Sequence, residues 1–286
     1  MAAPCTATSD DAFVHTAVDK PPTGRRDLMH PDVTELLAFY ERPLGAVARR
    51  VLAHHVRRRW PRAEGSTVIG LGYATPYLGS FRGEAHRVGA LMPVTQGSIV
   101  WPRDAPTRTV VVEEAQLPLP DNSVDRFLAV HCLEASENTR ALLREMWRVL
   151  RPEGRLLAIV PNRRGLWARM DTTPFGHGRP YSAAQLQRLL SDALFTPLDW
   201  SNALHFPPVD RRLVLKAAGT FERIGARVSP GFAGVIIVEA SKETMAPIAK
   251  PAAAQRRRVL VPGRGAVASY ESAERAASPQ EWHLDD

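Results

Sequence analysis

The side chains best suited to chemistry stand where short apolar runs give way to loops. His131 closes the run Arg126–His131, and Glu134 follows it. An imidazole near neutrality can take a proton as a general base; the competing reading is a helix-cap or core histidine. Further on, Pro161-Asn-Arg-Arg-Gly165 offers Arg163 and Arg164. The stretch Thr173-Pro-Phe-Gly-His-Gly-Arg-Pro-Tyr-Ser182 then places His177, Arg179 and Tyr181 among two glycines and two prolines. Guanidinium groups suit an anion, and loops on a rigid scaffold often carry function. We read 173–182 as a lid or a partner-recognition loop, with Glu134, Arg163, Arg179 and Tyr181 as substrate contacts and His131 or His177 as proton acceptor. The alternative is a crossover turn whose polar groups cap the next helix. Upstream, Val68-Ile-Gly-Leu-Gly-Tyr-Ala-Thr-Pro-Tyr-Leu78 has the form of strand, tight loop and helix start, where glycines let the backbone approach a ligand closely.

The elements that must hold these residues alternate. Asp32–Trp60 has helical spacing (Val33, Leu36, Leu37, Tyr40, then Leu44, Val47, Ala48, Val51, Leu52), which Pro43 should kink or divide and which Pro61 and Gly65 end. Strands are expected at Thr67–Leu71, Arg87–Met92, Thr109–Val112, Arg126–His131, Arg155–Val160, Leu198–Phe206 and Gly234–Ala240. Helices are expected over Asn138–Leu150, from Ser182 with Gln185 at capping-box spacing, and over Arg211–Arg227. Such alternation builds crossover units on a mostly parallel sheet. Residues 1–26 read as a polar, flexible leader, 27–244 as one domain, and 245–286 as a mostly disordered tail carrying Arg256-Arg257-Arg258.

Composition narrows the classes. The formal charge is +7, drawn mostly from arginine. A basic balance can favour nucleic acid or an anionic surface, but no nucleic-acid-binding signature accompanies it, and we read it as a solvated arginine-rich surface. No apolar run reaches the length of a membrane span. The first residues lack the apolar core of a secretory signal. Cys5 and Cys132 make neither a disulfide framework nor a metal set. A cytoplasmic protein without a metal is the expectation.

Two longer stretches carry a resemblance. Glu113-Glu-Ala-Gln-Leu-Pro-Leu-Pro-Asp-Asn-Ser-Val-Asp125 precedes the fourth expected strand, and Leu142-Leu-Arg-Glu-Met-Trp-Arg-Val-Leu-Arg-Pro-Glu-Gly-Arg155 precedes the fifth. With the glycine loop, in this order and spacing, roughly residues 30–244 resemble the class I S-adenosylmethionine-dependent methyltransferases, in particular the subfamily related to ubiquinone-biosynthesis and small-molecule enzymes. The resemblance implies a Rossmann-like α/β fold: seven strands, mostly parallel, the last one antiparallel and inserted beside the fifth, with helices on both faces. It also implies S-adenosylmethionine as cofactor, contacted by Gly70, Gly72, Tyr73 and Ala74, by Glu113 near the adenine with Glu114 beside it, and by His131.

The chain departs from the family pattern at two places. Gly70 stands where the family has an acid, and Pro76 where it has a third glycine. The second strand ends Ala90-Leu-Met-Pro93, without the carboxylate that binds the ribose hydroxyls. The turn through Gly72–Ala74 is still expected to leave a hollow for the adenosyl group. A nicotinamide cofactor fits less well, because the spacing Gly70-x-Gly72-x-x-Thr75 lacks its third glycine. The leading reading is a methyltransferase acting on a small molecule or a protein. The second is a non-catalytic binding or regulatory protein on the same scaffold, engaging a protein partner through 173–182. A nucleic-acid methyltransferase is weaker, since His131-Cys-Leu-Glu134 stands where an Asn-Pro-Pro-aromatic motif would be.

Overall fold

The computed structural model describes residues 31–228 and 230–243. The leader 1–26 and the tail 245–286 fall outside them, as do the ends of the domain expected at 27 and 244.

Asp32 starts the first helix, α1 (Val33–Glu41), by accepting the Thr34 amide hydrogen on its side chain. Arg42 is extended, and Pro43 begins α2 (Pro43–Arg59) at the position where a missing N–H costs nothing. The helical stretch is therefore divided as its proline implies. Seven strands follow: β1 (Thr67–Gly72), β2 (Arg87–Pro93), β3 (Thr109–Val112), β4 (Val124–Val130), β5 (Leu150–Pro161), β6 (Phe195–Ala203) and β7 (Val235–Lys242). Their order is β3-β2-β1-β4-β5-β7-β6. The first five are parallel, and β7 runs antiparallel between β5 and β6.

Alternation along each strand separates two buried layers. Leu128, Val130, Leu157 and Ile159 pack with Leu36, Tyr40, Leu44 and Leu52 of α1 and α2. Phe127, Ala129, Leu156 and Ala158 face the other way, against Leu142, Leu143 and Met146 of α4 (Thr139–Val149) and Leu186 and Leu190 of α5 (Ala183–Asp192). A four-residue turn of helix, α3 (Thr75–Leu78), follows β1, and α6 (Arg212–Val228) precedes β7. The link from β2 to β3 has no helix; Ile99 and Trp101 pack against the first layer there instead.

Two boundaries differ most from the sequence reading. Strand β6 begins and ends three residues early, because Leu194 and Leu204 both adopt positive φ (61° and 63°) and turn the chain at each end. The expected turn Arg151-Pro-Glu-Gly154 lies inside β5 as a bulge: Val124 pairs with Leu150, but Arg126 pairs with Arg155, and Glu153 has φ 60°.

Helix α2 also carries a titration. Burial, followed by the charge of Arg58, lowers the His55 pKa from 6.5 to about 4. The unfolded chain binds a proton near 6.5, which the folded chain refuses until about pH 4. This group's contribution to stability is therefore lost as pH falls from 6.5 to 4 and changes no further below that. Urea midpoints measured at pH 7.5 and 5 should drop for the native protein and drop less for His55→Gln; parallel drops would dissociate the effect from His55.

Candidate functional site

Ligands of open α/β sheets lie beyond the carboxyl ends of the strands. At that end, β1 leads into Gly72, Tyr73 and Ala74, β2 into a turn ending at Gln96, and β4 into His131. Gly72 has φ +74°, and a Cβ placed on it would stand 2.3 Å from the Val130 carbonyl oxygen. The Tyr73 amide donates to the same oxygen at 2.9 Å. Glycine at 72 thus lets β1 lie against the end of β4. At Gly70 a Cβ would meet Ala74 Cβ at 2.6 Å and Leu78 Cδ1 at 2.7 Å, so α3 packs down on the strand where the family carries an acid.

Over these loops sits a buried aromatic group. Tyr40 from α1 stacks on Tyr73, with centroids 5.4 Å apart and rings 20° from parallel. The Tyr77 hydroxyl donates to the Tyr40 oxygen at 3.2 Å, and Tyr40 lies 2.8 Å from Nε2 of His131. With its own oxygen accepting from Tyr77, the Tyr40 hydrogen goes to Nε2, which places the hydrogen of a neutral imidazole on Nδ1. That nitrogen stands 3.2 Å from Oε1 of Glu134, near enough for attraction but not aligned as a hydrogen bond. Nδ1 and both carboxylate oxygens consequently lack hydrogen-bond partners. His131 and Glu134 are only 2% and 3% exposed. His131 holds φ 52°, a conformation that re-aims its side chain at the end of β4. Phe175 packs on its ring at 4.8 Å, and Trp167 backs Phe175 at 5.4 Å.

Burial raises all three phenols: Tyr73 to about 12, Tyr40 and Tyr77 further. They stay protonated near neutrality, and Tyr77 and Tyr40 donate in turn toward His131. Burial also lifts the Cys132 thiol well above its ordinary range, which leaves it an inert apolar side chain.

Gln96 is a site residue the sequence reading missed. It is buried, and its amide nitrogen donates to the His131 carbonyl at 2.8 Å while Oε1 has no partner. Because β1 lies between β2 and β4, this bond crosses the end of β1. The hollow expected at Gly72–Ala74 is corrected accordingly: Tyr73, Tyr77 and Met92 share one buried cluster with Tyr40, and the Gln96 bridge spans the strand end beside them. The chemistry of the lining suits an adenosyl sulfonium amino acid, whose ammonium and hydroxyl hydrogens match the unpartnered acceptors of Gln96 and Glu134. Room for it requires Tyr40 and Gln96 to move.

The other sequence candidates are distributed around this centre. Glu113 is exposed, bridged to Gln116. Glu114 accepts from the buried Ser136 hydroxyl at 2.5 Å and so ties the β3 loop to the β4 loop. His177 is not brought to His131. Its Nε2 lies 3.0 Å from the Asp171 carbonyl, and it lines a cavity of about 370 Å³ against the outer side of α1, with Glu35 and Arg42. Tyr181 donates to the Leu133 carbonyl at 2.9 Å and the Arg179 amide to the Glu134 carbonyl at 2.8 Å, so the 173–182 loop is bonded to the His131–Glu134 segment. Arg163 and Arg179 are exposed beside it. Among the described residues, no helix is long and apolar enough to cross a membrane.

Residues 64–158 match the profile of a family described as "Methyltransferase domain". A protein of Mycolicibacterium smegmatis named "Probable S-adenosylmethionine-dependent methyltransferase" is 39% identical over 93 residues, 32% of this chain and 36% of that protein. One of Mycobacterium tuberculosis with the same description is 38% identical over 95 residues, 32% and 34% of the two chains. The chain thus spans about a third of the length of the curated relatives it matches. Among solved structures, a SAM-dependent methyltransferase from Thermotoga maritima aligns with a TM-score of 0.54 at 16% identity, covering 74% of this chain and 96% of that one. The [4+2]-cyclase SpnF aligns at 0.50 and 20% identity, covering 75% and 97%. At these identities the two structures share the fold. Residues 64–158 thus resemble a methyltransferase domain in sequence, and the sheet built around them has the fold those two structures share.

Proposed function

We propose that this protein is an S-adenosylmethionine-dependent methyltransferase whose cofactor binds at the carboxyl ends of β1, β2 and β4. The observation that carries the reading is the set of buried, unpartnered acceptors on Gln96 and Glu134, gathered at the ends of β2 and β4 inside the matched segment. Gln96 Oε1 stands in for the missing carboxylate after β2 as an acceptor for ribose hydroxyls, and Glu134 is free to take an ammonium or hydroxyl hydrogen. When bound, the cofactor supplies an electrophilic methyl group. Once Tyr40 has moved away, Nε2 of His131, whose Nδ1 faces Glu134, is open to receive the proton that the acceptor's nucleophile gives up. Phe175, packed on the His131 ring, keeps water from the pair. The acceptor is a small molecule or a protein with an N–H or O–H group. Entry requires breaking the Gln96–His131 and Tyr40–His131 hydrogen bonds, each about 1 kcal/mol net.

Calorimetric titration with S-adenosylmethionine and S-adenosylhomocysteine should give saturable heat. Tyr40→Ala, which opens the stack, should bind more tightly than the native chain. A second reading draws on the filled strand end: a scaffold that docks a protein partner through 173–182 without turnover. That reading expects no heat at millimolar ligand for either protein, a result that rejects the first.

A further inference from the structure

A groove of about 620 Å³ lies apart from the tyrosine cluster, between the start of α4, residues 178–181 and one side of α5 from Gln185 to Asp192. Arg140, Arg163, Arg179 and Arg188 line it, against one carboxylate, Asp192. Asp192 pairs with Arg140 at 3.4 Å, and both are largely exposed, so the pair offsets little of the charge. Among the described residues, Arg163, Arg179 and Arg188 make no salt bridge. Each hangs from backbone that is fixed. The Arg163 amide donates to the Tyr181 carbonyl at 2.9 Å and the Arg179 amide to the Glu134 carbonyl at 2.8 Å. Arg188 rides on α5, whose start is locked by the reciprocal Ser182–Gln185 capping box. Thr139 and Tyr181 add hydroxyls to the lining.

Three guanidiniums without a salt bridge converge on one groove from separate elements, and an anion between them would pair with all three. Guanidinium forks match phosphate and carboxylate oxygens in pairs, and the groove has the size of a small-molecule site. We infer that this groove binds a small, multiply charged anion, a phosphorylated or polycarboxylate metabolite. The inference stands independently of the methyltransferase reading. Its wall is nevertheless bonded to Leu133 and Glu134, so an occupant sits against the segment that carries the buried carboxylate.

The test is calorimetry of the full chain with inorganic pyrophosphate and with citrate, at a constant ionic strength of about 0.15 M so that diffuse attraction is screened. Saturable binding is expected. It should weaken about tenfold or more in Arg163→Ala/Arg188→Ala. It should be unchanged in Arg212→Ala/Arg223→Ala, which removes the same charge from exposed positions on α6. Circular dichroism establishes that each double variant is folded. Equal weakening in both pairs reduces the effect to bulk charge and overturns the inference, as does the absence of saturation by either probe. A single-stranded oligonucleotide that binds tightly, loses affinity only in the groove variant and displaces pyrophosphate would assign the groove to nucleic acid and also overturn it. Cofactor titrations in parallel keep failure here separate from failure of the methyltransferase reading.

Discussion

Gly72→Ala is expected to lower folding stability by about 3 kcal/mol. A non-glycine residue held at positive φ costs on the order of 1–3 kcal/mol. The added methyl here also has nowhere to go, since 2.3 Å from the Val130 oxygen and 2.9 Å from Cys132 Cβ it meets backbone on one side and a buried side chain on the other. Relief requires β1 and β4 to separate at their carboxyl ends, which breaks the Tyr73–Val130 hydrogen bond and displaces His131. Urea unfolding of the two proteins at equal pH measures the difference. A loss below about 1 kcal/mol would mean that the strand ends yield freely and that β1 does not need glycine at 72 to lie against β4.

The second large effect is on turnover. His131→Asn should reduce methyl transfer by about 10²- to 10⁴-fold, the usual contribution of a positioned acid or base. Asparagine is chosen because it tolerates the φ of 52° that His131 adopts, where alanine would add backbone strain of its own. The readout is incorporation of labelled methyl groups into acceptors from a cell extract, compared at several pH values, with the urea midpoint as control. A rate within about tenfold of the native chain, over the whole pH range, would remove His131 from proton transfer. The same rate loss with cofactor affinity retained would place its role after binding.

The sequence disclosed the frame of this site better than its filling. Strand ends and turns are local, so the run to His131, the glycine loop and the Ser182 cap were all readable from neighbouring residues. Gln96 was not: it follows β2 in the turn Pro93-Val-Thr-Gln96, outside any periodic pattern, and its significance arises only because β1 lies between it and His131. The one available signal was a polar side chain placed just past the strand that lacks its acid. Tyr40 was assigned to the buried face of its helix, but its bond to His131 spans 91 positions, beyond the reach of any spacing argument. Arg140 and Arg188 sit on helices, where long charged residues ordinarily mark the solvent side, and only the meeting of α4 with α5 reveals a shared groove. His177 was singled out for its company of glycines, which instead turn it back toward Asp171.

The position of β7 has a consequence for how this protein comes into being. On the ribosome, β5 emerges long before its antiparallel neighbour, and β6 has no partner of its own until residues 235–242 are made. Until then the Leu156–Val160 edge, apolar on both faces, is an open template for pairing with other chains. The last residue of β7, Lys242, donates to the Leu150 carbonyl and the Asn122 side chain, at the amino ends of β5 and β4. Nascent chains stalled before that point leave this edge unpaired, and closure of the sheet coincides with arrival of its final strand.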